Sequence, residues 1–165
     1  MHNLHLAVVY AETGEDACSA VECELENFGN ENNWRTICGA VSEDGKIYST
    51  NDGRFQPSGE DSSDNIAGIN KMVAGWVNSD VEYYSEKAER TATDGSDDQM
   101  DWYHLEKFAR IKGELARLGK PIEEFNVLTD DLFQCHYDEC GVTNMFYGEQ
   151  PKDEKKWVVF IDMHS

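Results

Sequence analysis

Apolar and polar residues follow one another along the chain in patterns that predict eight helices and strands. Residues 4–10 (LHLAVVY) form an apolar run of strand length, rich in β-forming residues. Thr13 follows as a helix N-cap with Asp16 three positions later, and apolar residues then recur at helical spacing as far as Phe28. Gly29 is the predicted end of this helix. The chain therefore begins with a strand and a helix.

The next segment predicts a hairpin. Residues 34–41 and 46–50 have the composition of strands, and they flank Glu43-Asp44-Gly45, which is typical of a tight turn. Residues 51–64 are rich in Gly, Ser, Asp and Asn, which predicts a loop.

Two long helices are predicted after this loop. The first is capped by Asp64, extends to about residue 90, and could break near Asn78-Ser79. One face of it stays apolar through Ile66, Ile69, Val73, Trp76, Val77, Val81, Tyr84 and Ala88. Residues 91–98 (TATDGSDD) predict an acidic, flexible connection, and a third helix covers about 99–118, ended by Gly119-Lys120-Pro121.

Two C-terminal strands complete the predicted fold. Residues 142–147 and 157–162 have strand patterns, so the order is β-α-β-β-α-α-β-β. We predict an α+β fold, with a mixed or antiparallel sheet of four to five strands and about three helices packed on it, in a single domain over residues 1–165. The strands at both termini should share the sheet, packed against the 13–28 and 64–90 helices.

Composition adds an extreme charge to this picture. The chain of 165 residues has 14 basic and 33 acidic residues, a net charge of -19, yet 39% of it is hydrophobic, enough for a core. Such a field repels nucleic acid and anionic membranes and attracts basic surfaces. Only in residues 99–120 do basic side chains outnumber acidic ones, by five to three. No apolar run has the length of a membrane span and the N-terminus does not resemble a signal peptide, so we expect a cytoplasmic protein.

Motifs for metal or nucleotide chemistry are weak. Neither GxxxxGK[ST] nor a GxGxxG after a strand occurs, which argues against nucleotide hydrolysis. Cys135, His136 and Cys140 form the best metal candidate, but a zinc site needs a second ligand pair. We therefore expect no metal, no cofactor and five free thiols. Activation of a cysteine by a histidine depends on spatial neighbours that the sequence does not show. We name no catalytic residue.

Other polar and aromatic residues have structural interpretations. Asp52-Gly53-Arg54 and Thr129-Asp130-Asp131 are candidate loop sites, although such residues more often form turns. His5 and His164 could meet across neighbouring strands, and packing at the edge of the core explains them as well. The four tryptophans are predicted to be core residues, because no basic groove for base stacking surrounds Trp34 or Trp76, and Trp34 and Trp157 lie in predicted strands.

Carboxylates in two helices form stripes that could bind a partner. Glu15, Glu22 and Glu26 lie within about 40° of one another on the first helix, and a second helix repeats the arrangement. An ordinary solvated face would look the same. The predicted partner-binding residues are Glu15, Glu22, Glu26, Glu82, Glu86, Glu89, Asp94, Asp97 and Asp98.

Three functional hypotheses follow. The first is a non-enzymatic protein that mimics DNA or RNA and occupies a basic surface of a nucleic-acid-handling protein. Small inhibitors of host defence that are encoded by viruses or mobile elements act in this way. If the protein is viral, it would act in the host cytoplasm. The second is a small enzyme or ligand-binding domain with its site near the 51–64 loop and the 130–140 segment. The third is an acidic subunit of a larger assembly, whose basic third helix docks on an acidic neighbour.

Overall fold

The helices and strands occur in the predicted order. The structure, a computed structural model, describes residues 2–27, 34–58, 65–94, 99–130, 140–144 and 152–164. Its strands are β1 (His2–Ala11), β2 (Trp34–Ser42), β3 (Ile47–Ser49), β4 (Cys140–Asn144) and β5 (Lys155–His164). Its helices are α1 (Gly14–Asn27), α2 (Ile66–Asp94) and α3 (Gln99–Leu118), with a 3-10 turn at Ile122–Glu124. The predicted α+β class is confirmed.

The strands form one sheet in the order β3-β2-β5-β1-β4. The central strand β5 runs antiparallel to both β1 and β2, and β2 and β3 form the predicted hairpin. The strand β4 pairs in parallel with β1, with Leu6 opposite Val142, so the sheet is mixed. Both terminal strands lie in this sheet, as predicted, and they are neighbours in it.

Helix α1 covers one face of the sheet because its apolar residues and those of alternate strand positions face one another. The core there is formed by Ala7, Val9, Ala11, Ala17, Cys18, Val21, Ala40, Trp157, Val159 and Ile161. The predicted cap at the start of α1 is present. The backbone N–H of Asp16 donates to Thr13 Oγ1 over 3.1 Å, and this hydroxyl donates to Asp16 Oδ2 over 2.6 Å.

The chain divides into two compact units, which we describe separately. One comprises Met1–Asn70 and Asn126–Ser165, and contains the sheet and α1; the other is Lys71–Phe125. In the second unit, α3 and most of α2 have their own buried residues, including Val73, Val77 and Ile111. The single domain and the packing of the 64–90 helix on the sheet stay predictions.

Helix α2 corrects three predictions. It begins after Asn65, whose Oδ1 accepts the N–H of Gly68 over 2.8 Å, so Asn65 rather than Asp64 is the cap. It continues through Asn78-Ser79, because neither residue removes a backbone donor as proline would. It also includes residues 91–94, because the first helix-breaking residue after them is Gly95.

Gly39 lies at an irregularity of β2 that only glycine fits. Its φ is 147°, and a Cβ there would lie 2.3 Å from the carbonyl oxygen of Tyr48. We expect Gly39→Ala to lower the free energy of unfolding by about 2–4 kcal/mol, measured by urea denaturation. Gly75→Ala is the control: nothing lies within 4 Å of its Cβ position on α2, so we expect a gain of about 0.5–1 kcal/mol. Unchanged stability of Gly39→Ala would contradict this account of β2.

Candidate functional site

Helix α1 is acidic over its whole length. Its 14 residues include five carboxylates and no lysine or arginine. The predicted stripe of Glu15, Glu22 and Glu26 is exposed, as is Asp16, whereas Glu24 is half-buried. The helix therefore presents negative charge that no cation of its own neutralises.

The C-terminal end of α1 is unusual in its charge. Glu24 and Glu26 lie in the last turn, where the helix dipole favours cations instead. Arg35 of β2 supplies the cation from outside the helix: its Nη1 donates to the carbonyl oxygen of Leu25 over 2.6 Å. This hydrogen bond from Arg35 stabilises the C-terminal end of α1 even though Glu24 and Glu26 lie in its last turn.

A groove of about 500 Å³ is lined by residues of α1, of β2 and β3, and of the loop that follows β3. Its walls bring Glu15 and Glu22 of the stripe to the same groove as Asp52, which the sequence had indicated as a loop site. Arg35 lines the groove as well, and Cys18 contributes a thiol. The carboxylate stripe of α1 and the loop site at Asp52, which were predicted separately, therefore line the same acidic groove.

A buried carboxylate in β5 holds the loop beside this groove. Asp162 is only 2% exposed. Its Oδ2 accepts the backbone N–H of Arg54 over 3.1 Å, and its Oδ1 lies 2.9 Å from Nδ1 of His2. The sequence pattern did not predict this cluster; its one signal was the acidic residue that ends the apolar run 157–162. The residue opposite His5 in β5 is Ile161, whereas His164 is opposite His2, so the proposed meeting of His5 with His164 does not occur.

The thiols next to the groove are poor nucleophiles. Burial, reinforced by the nearby Glu22 carboxylate, raises the pKa of Cys18 to about 12. Burial also raises the pKa of the Cys38 thiol above its ordinary value. A thiolate is the reactive form of cysteine, so neither residue has the environment of a catalytic nucleophile.

The raised pKa of Cys18 gives a chemical prediction. At pH 8 roughly one Cys18 in 10,000 is a thiolate, and the thiol is buried, whereas Cys23 on the same helix is exposed. We expect iodoacetamide to modify Cys23 and leave Cys18 unmodified in the native protein, as peptide mass spectrometry would show. Denaturant should make both react. Equal rates in the native protein would refute the assigned burial of Cys18.

The proposed metal ligands fall largely outside the described residues. Cys135 and His136 are among residues 131–139, and of Cys140 only the backbone in β4 is described. Within the described ranges no group of three His, Cys, Asp or Glu side chains could hold a metal ion. Cys18, Cys23 and Cys38 are free thiols.

The second carboxylate stripe lies on α2, in the other unit. Glu82, Glu86 and Glu89 are exposed. Unlike the α1 stripe, it has Arg90 four residues after Glu86, the spacing at which opposite charges attract on a helix. Asp94 ends α2, whereas Asp97 and Asp98 are not among the described residues. That all these carboxylates share one side stays a prediction.

The tryptophans only partly follow the prediction that they lie in the core. Trp157 is buried and its Nε1 donates to the carbonyl oxygen of Ala11 over 3.1 Å. Trp76 is half-buried, and the side chain of Trp34 is outside the described set. Trp102 is 66% exposed on α3, so the prediction is wrong for this residue. It lies on the polar side of a helix whose inward face is formed by residues such as Ile111.

Comparison with known proteins identifies no relative. No family model matches the chain, and neither a curated protein nor a solved structure matches it. None of the helices in the described parts of the chain is long and apolar enough to cross a membrane.

Proposed function

We propose that this protein is a non-enzymatic acidic binding protein whose helix α1 occupies the basic surface of a nucleic-acid-handling protein. In this role it is a nucleic-acid mimic and an inhibitor, because the partner surface it covers is the one that DNA or RNA would use. The observation that carries the proposal is a helix with five carboxylates and no basic residue, of which Glu15, Glu22 and Glu26 are exposed on one face.

The row of negative charges on one face of α1 supports mimicry. A helix of 14 residues is about 21 Å long. Its exposed stripe of Glu15, Glu22 and Glu26 extends over about 16 Å of the helix axis, which gives about one charge per 8 Å. One strand of duplex DNA has one phosphate per roughly 3.4 Å of its axis, so the stripe is a sparser row of charges of the same sign. A basic groove that follows a phosphate backbone would meet a row of negative charges on this face of the helix.

The position of the charges supports a role for them in binding. Glu24 and Glu26 oppose the helix dipole, and carboxylates at spacings of three or four residues repel one another by a few tenths of a kcal/mol per pair. Residues that break a local rule of stability are most often found at functional sites. A basic partner would turn this repulsion into attraction.

The acidic groove supports a second candidate, a binding site for a small cationic ligand. Glu15, Glu22 and Asp52 line it opposite a single arginine, Arg35. The groove is open to solvent and lined mainly by polar groups, which suits a charged ligand rather than an apolar one. The raised pKa of Cys18 argues against nucleophilic catalysis there. A polyamine that raises the melting temperature of the wild-type chain, but not of an Asp52→Asn variant, would favour this candidate.

Displacement by DNA tests the principal proposal. The immobilised chain is incubated with lysate proteins that were first collected on heparin, which enriches nucleic-acid-binding proteins. We expect the retained protein to be released by duplex DNA, and also by raised salt, because exposed charges are screened over about 8 Å at physiological ionic strength. A retained protein that binds DNA while still held by the chain would refute mimicry.

A further inference from the structure

The strand β2 has an edge that its neighbour β3 covers only in part. β3 is three residues long and pairs with β2 at Gly39–Val41, whereas β2 begins at Trp34. On its other side β2 pairs with β5 from Trp34 onwards. In the part of the chain that the structure describes, no strand therefore lies opposite residues 34–37 on the β3 side. We call this stretch the open edge of β2.

The backbone groups of Arg35 point to the open edge. Thr50, which follows β3, donates its Oγ1 hydrogen to the carbonyl oxygen of Ile37 over 2.7 Å, so this carbonyl points to the β3 side. Backbone groups of successive residues alternate between the two sides of an antiparallel strand, and the register of β2 with β5 is regular over residues 34–37. The N–H and C=O of Arg35 therefore point to the same side as the carbonyl of Ile37. Such unpaired groups are a template for a further strand.

The groove beside α1 follows this edge, because its lining includes both faces of β2. Ile37 packs on the core beneath α1, and Arg35 Nη1 donates to the carbonyl oxygen of Leu25, so both side chains lie on the α1 face. Thr36 faces the opposite way, where its Cγ2 lies 3.2 Å from the Cβ position of Gly53. All three β2 residues line the groove. An extended chain in the groove would lie beside β2.

The lining of the groove is acidic. Glu15 and Glu22 of α1 and Asp52 of the loop line it, and all three side chains are exposed. None of them forms an ion pair with a cation of the described ranges. Arg35 is the one cation among the described lining residues, and its Nη1 is bound to the carbonyl oxygen of Leu25. Three carboxylates against one arginine favour lysine and arginine side chains in an occupant.

We propose that the groove binds an extended basic segment of the partner, which adds as a further strand to the open edge of β2. Backbone hydrogen bonds to Arg35 set its register, as in other complexes formed by strand addition. Side chains on one face of a strand recur about every 7 Å, and Glu15 and Glu22 are about 10 Å apart along the α1 axis, so lysines at alternate positions reach both. This inference rests on the proposed function and adds the partner's conformation and its mode of binding.

A short peptide tests strand addition on the full chain. The probe is a capped hexapeptide of alternating lysine and valine, and the measurement is amide hydrogen exchange by nuclear magnetic resonance. We expect the N–H of Arg35 to exchange readily in the free protein and at least about tenfold more slowly with saturating peptide, because a hydrogen bond then protects it. Spermine is the matched control: it has the positive charge but no peptide backbone, so it should leave the exchange of Arg35 unchanged.

Methylation of the peptide backbone separates hydrogen bonding from charge. One form of the peptide is N-methylated at its lysines and another at its valines, and both keep the charge of the parent. Only one of the two sets of N–H groups faces β2 in an added strand. We therefore expect one form to bind like the parent and the other at least about tenfold more weakly, measured by titration calorimetry.

Substitutions in the groove test the contribution of its carboxylates. Glu15→Gln with Glu22→Gln should weaken peptide binding about three- to tenfold, the effect of two exposed ion pairs. Glu106→Gln with Glu124→Gln is the matched control, because it removes the same charge from exposed side chains of the Lys71–Phe125 unit. We expect the control to bind like the wild type.

Three results would overturn strand addition. A protected Arg35 N–H in the free protein would mean that the chain itself covers the edge. A peptide that does not bind, or that binds without slowing this exchange, would refute the added strand, as would equal binding of the two methylated forms. None of these results bears on whether DNA displaces a captured basic protein, because α1 could meet a folded basic surface without an added strand. Failure here is therefore distinct from failure of the proposed function.

Discussion

Replacing Glu15, Glu22 and Glu26 together by glutamine should slow association with a basic partner at least about tenfold, because carboxylates that face a basic surface accelerate encounter by 10- to 1,000-fold at low salt. The three side chains are exposed, so the variant should keep the fold of the wild type. Stopped-flow or surface-based kinetics at low and high salt measures the effect. The difference between variant and wild type should shrink as salt rises.

The matched control removes the same charge from the other stripe. Glu82→Gln with Glu86→Gln and Glu89→Gln changes the net charge equally, but this stripe includes Arg90 at the pairing distance from Glu86. Because an arginine four residues after Glu86 offsets part of this charge, we expect a smaller reduction in the association rate. Equal reductions would mean that total charge drives binding and that α1 has no special part in it.

The second large effect concerns stability. Asp162→Ala should lower the free energy of unfolding by about 2–4 kcal/mol, since it leaves the N–H of Arg54 without its acceptor, removes the carboxylate beside His2, and opens a cavity. Urea denaturation gives the value. The loop that includes Asp52 should also become more susceptible to proteolysis, because its anchor to the sheet is lost.

Asp44→Ala is the control for this result. The Asp44 carboxylate also has partners: Lys155 Nζ lies 2.5 Å from it and Ser42 donates to it, and these hydrogen bonds lower its pKa to about 2. It is exposed, however, so solvent screens the pair and we expect far less loss of stability than for Asp162→Ala. Similar losses in the two variants would contradict the special role of the buried Asp162.

Local sequence signals predicted most of the fold. Thr13 and Asp16 located the start of α1, and the turn at residues 43–45 located the hairpin, because capping and turn geometry depend on residues close in sequence. Gly119, with φ of 69° and its N–H bonded to the carbonyl oxygen of Leu115, ends α3 as predicted. The length of α2 was less predictable, because weak helix formers such as Asn78 and Ser79 do not by themselves end a helix.

The candidate site depends on contacts between residues distant in sequence, which the pattern alone does not contain. The exposed stripe of α1 could be predicted, since it follows from helical spacing. The groove that joins Glu22 to Asp52 and the anchor of the loop on Asp162 depend on the strand order and on the exact register of β5. The exposure of Trp102 was missed because tryptophan was assigned to the core by residue type.

Carboxyl footprinting of a complex tests the central claim most directly. Carbodiimide-driven labelling of aspartate and glutamate side chains, read by peptide mass spectrometry, is compared between the free protein and the protein bound to a DNA-displaceable partner. We predict that Glu15, Glu22 and Glu26 lose most of their labelling in the complex, whereas Glu82, Glu86 and Glu89 lose less. Undiminished labelling of the three α1 carboxylates in a complex that still excludes DNA would contradict the assignment of α1 as the binding surface.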